Sequence, residues 1–413
     1  MEISSNYSKI RKENAYKFIF ITSIIAICLE SIFIRPAAYG INFIDLRLFY
    51  FVAIMNLMLF ADLFPLKFFR MHFLLLVYFL TVPFLLAFSN GATSKFFSQF
   101  FPISFFSFFY ASLIYGYVKD NSNKIDNILI IFAQIFCAIQ TIPLLVYFTY
   151  PIHGLDLFMQ LDVQNIRFKG TFSEPMNLCV IAVPALCISI SKKFKYQFIC
   201  IFISFLSIIF SFSIVGFLGL FLALFILPKT FIYRLVFLML FFPPLFFFIF
   251  NTVYFSKIDN LIFSLLELSL LNSQNPTVFG VLSNLYVCIE VLKDNFLFGG
   301  GLGSHETNYY KYILPLKGIE NPYWEDFVGI AAVDGNSLFI RITSDFGFIG
   351  TIMLSIFIIY NYKPNWIGKI CLIYFALILA RTGHYFKAEF FFFIFIYIIN
   401  SLSLNQEIKK KKN

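Results

Sequence analysis

The sequence is short of charge, and this shortage decides the class of protein. Asp, Glu, Lys and Arg make up 13% of the 413 residues, whereas 60% are apolar and 62 are Phe. A soluble globular domain carries about 25% charged residues, so the composition excludes a water-soluble fold. Apolar runs near the roughly 20 residues that cross hydrocarbon as a helix recur along the whole chain. We therefore expect an all-α, polytopic membrane helix bundle that forms a single membrane domain over residues 1–413.

Several signatures of soluble function are also missing. The sequence has no glycine-rich phosphate loop with its Lys, no zinc-ligand spacing and no serine elbow, so we expect neither ATP hydrolysis nor a bound cofactor or metal. The net charge of +9 comes from short basic clusters between apolar runs, which argues against a nucleic-acid partner. The seven cysteines are an odd number, and most lie in apolar runs, so we expect no disulfides. Those in the runs are Cys28, Cys137, Cys179, Cys187, Cys200 and Cys371.

The apolar runs predict about twelve membrane spans, within a range of ten to thirteen. They cover residues 16–34, 47–61, 71–89, 97–117, 127–150, 176–191, 197–212, 214–228, 231–250, 336–360, 365–380 and 386–403. The first run contains Glu30 and is long, which favours a retained anchor over a cleaved signal. Lys and Arg concentrate in alternate connections, and such connections stay in the cytoplasm. Both termini are therefore expected to be cytoplasmic.

Two regions require more than a count of spans. Residues 196–228 are one apolar stretch, yet basic clusters at both ends require an even number of crossings, with a turn at Ser211, Ser213 and Gly216. Residues 251–335 are expected to form a large extracytoplasmic loop. Within it, residues 278–293 have apolar positions at helical spacing, which predicts an amphipathic helix. Loops of this size usually carry function.

Arg341 is a charge that a bilayer should reject. It would lie about 7.5 Å inside the span that starts at Asn336, at a rise of 1.5 Å per residue. A charge at that depth must face the bundle interior or a wet cavity, which makes Arg341 a candidate catalytic residue. Asp345 follows four residues later on the same helical face, so an intrahelical ion pair is the alternative.

Arg381 and His384 close the next span on the same side of the membrane. Three residues apart, they would share a face if the helix continues to His384. Both are candidate catalytic residues. The alternative is that they reach for the membrane interface, with Tyr385 as a neighbouring interfacial aromatic residue.

Two further segments offer polar groups on the same side. Arg167 and Lys169 are candidate substrate-binding residues, and they precede Pro175, which is expected to begin a helix with the candidate catalytic Glu174 at its positive end. The alternative there is a simple helix cap. His305 follows a glycine-dense turn at residues 299–303, which would admit a ligand close to the backbone or act as a flexible hinge. His305 is a candidate substrate-binding residue.

Three segments carry a family resemblance, namely 167–177 (RFKGTFSEPMN), 292–303 (LKDNFLFGGGLG) and 336–350 (NSLFIRITSDFGFIG). They resemble the O-antigen polymerase and ligase superfamily, in particular O-antigen polymerases of the Wzy type. Their order and the large loop before the third segment also match. The resemblance implies a glycosyltransferase that joins undecaprenyl-diphosphate-linked oligosaccharide repeat units at the periplasmic face of a bacterial inner membrane, in lipopolysaccharide biosynthesis.

By this resemblance the family's arginines correspond to Arg167, Arg341 and Arg381, and Asn336, which opens the third segment, completes the substrate-binding set. Guanidinium groups grip phosphate oxygens bidentately, as a lipid diphosphate requires. The implied partners are the undecaprenyl-diphosphate-linked oligosaccharide and membrane lipids, with a chain-length regulator and a flippase in the same pathway.

The alternatives differ in class. Related ligases place a His before the Asn of the third segment, and Gly335 stands there, which favours a polymerase over an O-antigen ligase. The Arg that often heads the amphipathic stretch in relatives is absent, since Ser283 is followed by Asn284. A flippase or transporter of lipid-linked sugars would place charges near the bilayer midplane, whereas these charges cluster toward one face. A purely structural membrane scaffold is the remaining alternative.

Overall fold

The computed structural model describes residues 2–30, 33–34, 46–64, 81–118, 124–153, 157–161, 166–227, 276–316, 324–383 and 387–412. Within them the chain forms fourteen α-helices and two short antiparallel strand pairs. The helices are α1 (Glu2–Cys28), α2 (Leu48–Leu59), α3 (Val82–Ser89), α4 (Thr93–Val118), α5 (Lys124–His153), α6 (Pro175–Ser191), α7 (Gln197–Phe210), α8 (Ile214–Ile226), α9 (Pro276–Asp294), α10 (His305–Ile313), α11 (Trp324–Phe327), α12 (Leu338–Asn361), α13 (Trp366–Arg381) and α14 (Ala388–Lys412). The strands are β1 (Phe33–Ile34), β2 (Leu46–Arg47), β3 (Met159–Leu161) and β4 (Ile166–Phe168).

The predicted all-α class is confirmed, and the predicted spans coincide wholly or partly with described helices, except for residues 231–250, which lie outside the described residues. Three helices are long and apolar enough to cross a membrane by length and composition: Thr93–Val118, Lys124–Tyr150 and Leu338–Asn361. Shorter apolar helices accompany them at Leu48–Leu59, Pro175–Ser191, Gln197–Phe210, Ile214–Ile226 and Ala388–Leu402.

The first predicted span needs a correction. The span was expected at residues 16–34, but α1 starts in the basic N-terminal segment and ends at Cys28. Its end is followed by Glu30, which is only 4% exposed and bonds to Lys387 at 2.8 Å. A buried carboxylate needs a partner at a fixed place, so the chain leaves the helix there.

The stretch 196–228 forms two helices, as the basic clusters at its ends required. Helix α7 ends at Phe210, and α8 begins at Ile214 after a turn in which Phe212 has a φ of +48°. Gly216 packs against Cys179 and Gly219 packs against Val183, so α8 runs parallel to α6. By contrast, Gln197 contacts the carbonyl of Ser189 at the other end, so α7 runs antiparallel to α6. The chain therefore reverses direction at Ser211 and Ser213, as predicted, whereas Gly216, which was also assigned to the turn, lies within α8.

The last helix lies at the centre of the bundle, and its phenylalanines show why. Phe391 stacks on Phe106 of α4 with 6.2 Å between ring centroids, and Phe392 stacks on Phe132 of α5 at 5.5 Å. Phe393 stacks on Tyr374 of α13 at 4.2 Å. Since lipid tails are as apolar as side chains, packing contacts of this kind hold membrane helices together.

Two opposite ends of the bundle can be distinguished from contacts between helix ends. At the first, which we call the motif end, the end of α1 and the starts of α6, α12 and α14 meet the ends of α7 and α13. Lys387 reaches both Glu30 and Asn177, and the Ser337 hydroxyl donates to the Leu379 carbonyl at 2.6 Å. At the second, which we call the basic end, Lys192 pairs with Asp126 at 2.5 Å. Lys193 and Lys195 lie beside it in the chain, so basic residues are clustered at this end.

The described part of the predicted loop at 251–335 is folded, and residues 251–275 and 317–323 lie outside the description. The amphipathic helix expected at residues 278–293 is α9 (Pro276–Asp294). It shares a small separate core with α10 and α11, formed by Phe279, Val287, Val291, Tyr309, Ile313, Trp324, Phe327 and Ala332. The loop thus places α9 and α10 firmly against the start of α12.

Candidate functional site

Arg167 is held at the motif end by its backbone and by one side-chain hydrogen bond. It is the middle residue of β4 and lies opposite Gln160 of β3. Its Nε donates to the carbonyl oxygen of Ser211 at 3.2 Å, and the side chain is half-buried. Two residues on, the backbone N–H of Lys169 donates to the Phe158 carbonyl at 3.0 Å. The Lys169 ammonium has no hydrogen bond or ion pair within the described part of the chain.

Glu174 occupies the N-cap of α6, and the helix start predicted at Pro175 is confirmed. Its backbone is extended, with φ −142° and ψ 153°, and its side chain makes no capping hydrogen bond. The carboxylate is exposed. A negative charge at this position is favoured by the positive end of the helix dipole, and here it remains available to other groups.

Arg381 is the last residue of α13 and interacts electrostatically with the other candidate residues Arg167 and Glu174. It is half-buried, and its guanidinium feels the attraction of Asp334 and Glu174 and the repulsion of Arg167. The backbone beyond it is fixed, because any side chain on Gly383 would collide with the Asp334 carbonyl. We call Arg167, Glu174, Asp334 and Arg381 the arginine cluster.

The arginine cluster contains a donor without an acceptor. The Nη1 of Arg381 is buried and has no hydrogen-bond partner among the described residues. A buried donor left unpaired costs about 1–3 kcal/mol, and more when it is charged. Two guanidinium groups near each other also repel unless an anion lies between or beside them. Asp334 and Glu174 balance the two guanidinium charges, so what the cluster offers an anionic group is the unpartnered Arg381 donor.

Asn336 lies next to the cluster in an unusual backbone conformation. Its φ is +61°, in the left-handed region that Asn tolerates better than most residues, and its N–H donates to the Asp334 carboxylate at 3.0 Å. The side chain is 5% exposed, and its Nδ2 has no hydrogen-bond partner among the described residues. Asn336, a predicted substrate-binding residue, therefore has an amide N–H group that is free to donate to a ligand.

Arg341 is buried, at 1% exposed, as the depth argument required. Its Nε lies 3.4 Å from Oδ2 of Asp345, and its Nη1 donates to the Val333 carbonyl. The intrahelical ion pair that the sequence left as the alternative is therefore present. This placement favours a role in holding the fold over direct contact with a substrate.

Asp345 ties the glycine-dense turn to α12. Its carboxylate accepts from the N–H of Gly303 and the N–H of His305, each at 3.1 Å, in addition to its contact with Arg341. The backbone N–H groups of the turn thus donate to the Asp345 carboxylate, whose negative charge is neutralised by Arg341. Removing either partner would take one charge away from this buried ion pair, which is destabilising.

Helix α12 is interrupted at Gly347, which has φ +64° and ψ −159°, and the turn supplies hydrogen-bond partners for the backbone groups at this interruption. There the carbonyls of Ser344 and Asp345 accept from the N–H groups of Gly300 and Gly301 at 2.8 and 2.9 Å. In return, the N–H groups of residues 348 and 349 donate to the carbonyls of residues 296 and 297. The two hydrogen bonds that α12 would make between residues 344 and 348 and between residues 345 and 349 are thus replaced by four hydrogen bonds to residues 296–301.

The glycines of this turn are required by backbone packing. A Cβ on Gly299 would lie 2.5 Å from the Ser344 carbonyl oxygen, and one on Gly301 would lie 2.4 Å from the backbone nitrogen of Ala87. The turn is therefore wedged between α12 and α3. Such close packing favours a structural junction over the flexible hinge or ligand-facing loop that the sequence left open.

His305 is completely buried beside the ion pair. Its Nε2 lies 2.8 Å from Oδ1 of Asn284, and its Nδ1 lies 2.9 Å from the Ser344 hydroxyl. Because the Asn284 amide donates to the Gly280 carbonyl, its oxygen must accept, so Nε2 carries the proton. Burial, with a smaller contribution from the Arg341 charge, lowers the pKa of His305 to about 3. The neutral ring braces α9 against α12, which favours a structural role over substrate binding.

A buried charge network at the motif end was not found from the sequence. Lys387, 5% exposed, lies 2.8 Å from Glu30 and 3.9 Å from Glu389, and it donates to the Asn177 amide oxygen at 2.9 Å. Ser173 donates to Glu30 at 3.4 Å. The network contacts Ser173 and Asn177, which lie on either side of Glu174 in the chain. The sequence signal was limited to the presence of Glu30 and Lys387 near the ends of two apolar runs.

His384 lies outside the described residues. Within the described part of the chain, no three His, Cys, Asp or Glu side chains are grouped closely enough to hold a metal ion. All seven cysteines are free and buried.

Comparison of the chain with protein-family models, with curated proteins and with solved structures finds no match.

Proposed function

We propose that this protein is a polymerase of lipid-linked oligosaccharides, an O-antigen-type polymerase that joins undecaprenyl-diphosphate-linked repeat units. The observation that carries the proposal is the arginine cluster, in which the Nη1 of Arg381 is buried without a partner among the described residues. A diphosphate would satisfy this donor and could accept charge-assisted hydrogen bonds from both Arg167 and Arg381. The resemblance of the three segments named above supplies the reaction class.

In this proposal the chain crosses the inner membrane about twelve times, with both termini in the cytoplasm. The basic end, with Lys192, Lys193 and Lys195, then faces the cytoplasm. The motif end and the loop at 251–335 face the periplasm. Two lipid-linked substrates would meet there, where their diphosphates lie at the level of the arginine cluster.

The chemistry asks for few groups. A hydroxyl of the incoming unit attacks the anomeric carbon of the growing chain, and the bond from that carbon to the diphosphate oxygen breaks. The diphosphate leaves with the bonding electrons, so Arg167 and Arg381 stabilise the developing negative charge. Glu174 is exposed at the cluster and takes the proton of the attacking hydroxyl. His384 stays a candidate for the same step.

Arg341 and His305 enter the proposal as positioning residues, because both are buried and bonded to protein groups. They fix the start of α12 and thereby Asn336. Asn336 and Lys169 remain the proposed substrate-binding residues. Within the described residues, the Nδ2 of Asn336 and the ammonium of Lys169 have no hydrogen-bond partner, so both can donate to a substrate.

A deletion strain tests the function. Cells without this protein should still attach sugar to their lipid A core, because a flippase and a ligase remain, but each core should carry a single repeat unit. A gel of extracted lipopolysaccharide would show this as loss of the ladder. Loss of all attached units would instead indicate a ligase or a flippase and would refute the proposal.

Variants of the arginine cluster test the site in the same strain. Arg167→Ala and Arg381→Ala should each give the single-unit phenotype, whereas Arg381→Lys should keep partial extension, because it retains charge without the bidentate fork. Lys193→Ala, an exposed basic residue at the basic end, is the control and should give the parental ladder. Normal chain lengths in both alanine variants would show that the arginine cluster is not the site.

A further inference from the structure

Residues 296–298 form an exposed apolar segment in the turn that follows α9. Phe296, Leu297 and Phe298 are 54%, 49% and 42% exposed, although they belong to the loop that the sequence places outside the membrane spans. The segment comes directly after the charged end of α9, where Lys293 and Asp294 are exposed. Three consecutive large apolar side chains on a water-facing loop are disfavoured unless something covers them.

The backbone of this segment makes its hydrogen bonds toward the protein. The carbonyl oxygens of Phe296 and Leu297 accept from the N–H groups of residues 348 and 349 at 3.0 and 3.2 Å, where α12 is interrupted. The N–H of Phe298 donates to the side-chain oxygen of Asn295 at 3.4 Å. Because lipid offers no hydrogen-bond partner, irregular backbone lies at hydrocarbon level only where the protein satisfies it. These backbone groups meet that condition while the three side chains point away from α12.

The segment is continuous with an apolar flank of α12, one of the three helices long and apolar enough to cross a membrane. Phe296 stacks on Phe348 of α12 with 5.0 Å between the ring centroids. From Phe348 the exposed apolar side chains continue at helical spacing along one side of α12, at Ile352, Ile356 and Ile359. In a membrane this flank faces hydrocarbon, and the stacked pair of rings extends it onto the turn.

The turn also contacts α3, which carries a further exposed apolar face. The Nδ2 of Asn90, just after α3, donates to the carbonyl oxygen of Gly300 at 2.8 Å. The exposed side chains of α3 lie three residues apart and therefore on one side of the helix, at Val82, Leu85 and Phe88. Both elements that hold the turn thus present apolar surface outward.

The charged residues next to the segment form a compact polar group at the end of α9. The Lys311 ammonium lies 3.0 Å from the Asp294 carboxylate, and the Tyr312 hydroxyl donates to the same carboxylate. Lys and Tyr are suited to the headgroup level of a membrane, because their polar tips reach water while their apolar parts face lipid. A boundary between water and hydrocarbon that passes between Asp294 and Phe296 therefore suits the residues on both sides of it.

We propose that residues 296–298 insert into the interface of the bilayer and anchor the folded part of the loop, α9 to α11, on the membrane surface beside α12. The partner is the bilayer itself rather than a second protein, because the segment extends a flank of α12 that lipid already covers. The anchor holds the glycine-dense turn, and with it the interruption of α12, at the level of the membrane surface. It does not depend on the reaction that the protein catalyses.

Spin labelling of the full-length protein tests the anchor. Leu297→Cys is labelled with a nitroxide in detergent and reconstituted into vesicles of phosphatidylethanolamine and phosphatidylglycerol. The seven native cysteines are buried, so the unsubstituted protein gives the background. Collisions of the nitroxide with oxygen, which concentrates in hydrocarbon, are then compared with collisions with a water-soluble nickel chelate.

Two exposed positions calibrate the measurement. Ile356→Cys lies on the apolar flank of α12 and reports lipid, whereas Lys293→Cys, four residues before Leu297, reports water. The ratio of oxygen to nickel collisions at position 297 should be close to that at 356. It should exceed the ratio at 293 by about tenfold or more, because a polar chelate loses its hydrogen bonds to water on entering hydrocarbon.

Each other outcome overturns the anchor. A ratio at position 297 equal to that at 293 would place the segment in water, as expected of a patch that awaits a protein partner. A nitroxide that neither reagent reaches would show that another part of the protein, or a second copy of it, covers the segment. Phe298→Cys, at the next exposed position, replaces Leu297→Cys if the latter is not monodisperse. A lipid-embedded position 297 supports the anchor whether or not the deletion strain loses its ladder, so the two proposals can fail separately.

Discussion

Asp345→Asn should open the junction between α12 and the glycine-dense turn. Asp345 is fully buried and accepts from Gly303, Ser304 and His305 besides its contact with Arg341. An amide cannot neutralise Arg341, and its NH2 group would face other donors. Breaking a buried ion pair from one side costs about 3–5 kcal/mol. Since about 1.4 kcal/mol is a factor of ten, local opening should become roughly 10² to 10³ times more frequent.

Cys288 is a built-in reporter for this opening. It lies on α9, is 4% exposed, and is free. Burial, with a contribution from Asp345, raises the pKa of its thiol to about 12, so it reacts with a maleimide only after the junction opens. With Cys288 as the sole cysteine, the labelling rate follows the open population when closing is fast. Asp345→Asn should therefore accelerate labelling by about two orders of magnitude.

The control is Asp326→Asn, which makes the same change at an exposed position on α11. Its labelling rate should equal that of the parent. If Asp345→Asn is labelled at a rate within about twofold of the parent, well below one factor of ten, the ion pair does not hold the junction closed.

Three further predictions concern buried groups. Burial lowers the pKa of His305 to about 3, so below about pH 6.5 the unfolded chain binds a proton at this residue that the folded chain does not. The free energy of unfolding should therefore decrease by up to about 1.4 kcal/mol for each pH unit as the pH is lowered from about 6.5 to 3. In urea unfolding, His305→Gln should show a weaker pH dependence than the parent, and an equal pH dependence would contradict the assigned neutral ring. Gly299→Ala should lower the thermal midpoint far more than Gly91→Ala, because both glycines have positive φ but only Gly299 has backbone in the way of a Cβ; equal shifts would show that packing is not the cause. Lys387→Met removes the ammonium that pairs with the buried Glu30 and Glu389 and should cost about 3–5 kcal/mol. Glu30→Gln should partly restore the folded yield in the double variant, measured by gel filtration; a double variant worse than the single one would disprove the pairing.

Much of the helical framework could be predicted, because apolar runs and proline act locally. The two helices between residues 197 and 226 followed from the basic clusters at their ends and from Ser211 and Ser213. Pro175 and the amphipathic stretch likewise marked the starts of α6 and α9. These features depend on residues that are neighbours in the chain, so the sequence contains the whole signal.

The candidate site was only partly predictable, because its partners are distant in the chain. Arg341 and Asp345 are four residues apart, so their pairing was foreseen as an alternative. Glu30 and Lys387 are separated by most of the sequence, and nothing local indicates that they meet. The role of the glycines was also hidden, since a turn that packs against backbone and one that receives a ligand share the same composition.

We propose that this chain extends lipid-linked glycans without the help of another protein. Purified protein in vesicles, given undecaprenyl-diphosphate-linked repeat units and no nucleotide sugar, should produce a ladder that rises one repeat unit at a time and should release undecaprenyl diphosphate in step. The Arg381→Ala variant, purified in the same way, should leave single units. If the parent protein also leaves only single units while still binding them, or moves them across the bilayer unchanged, the polymerase account is contradicted.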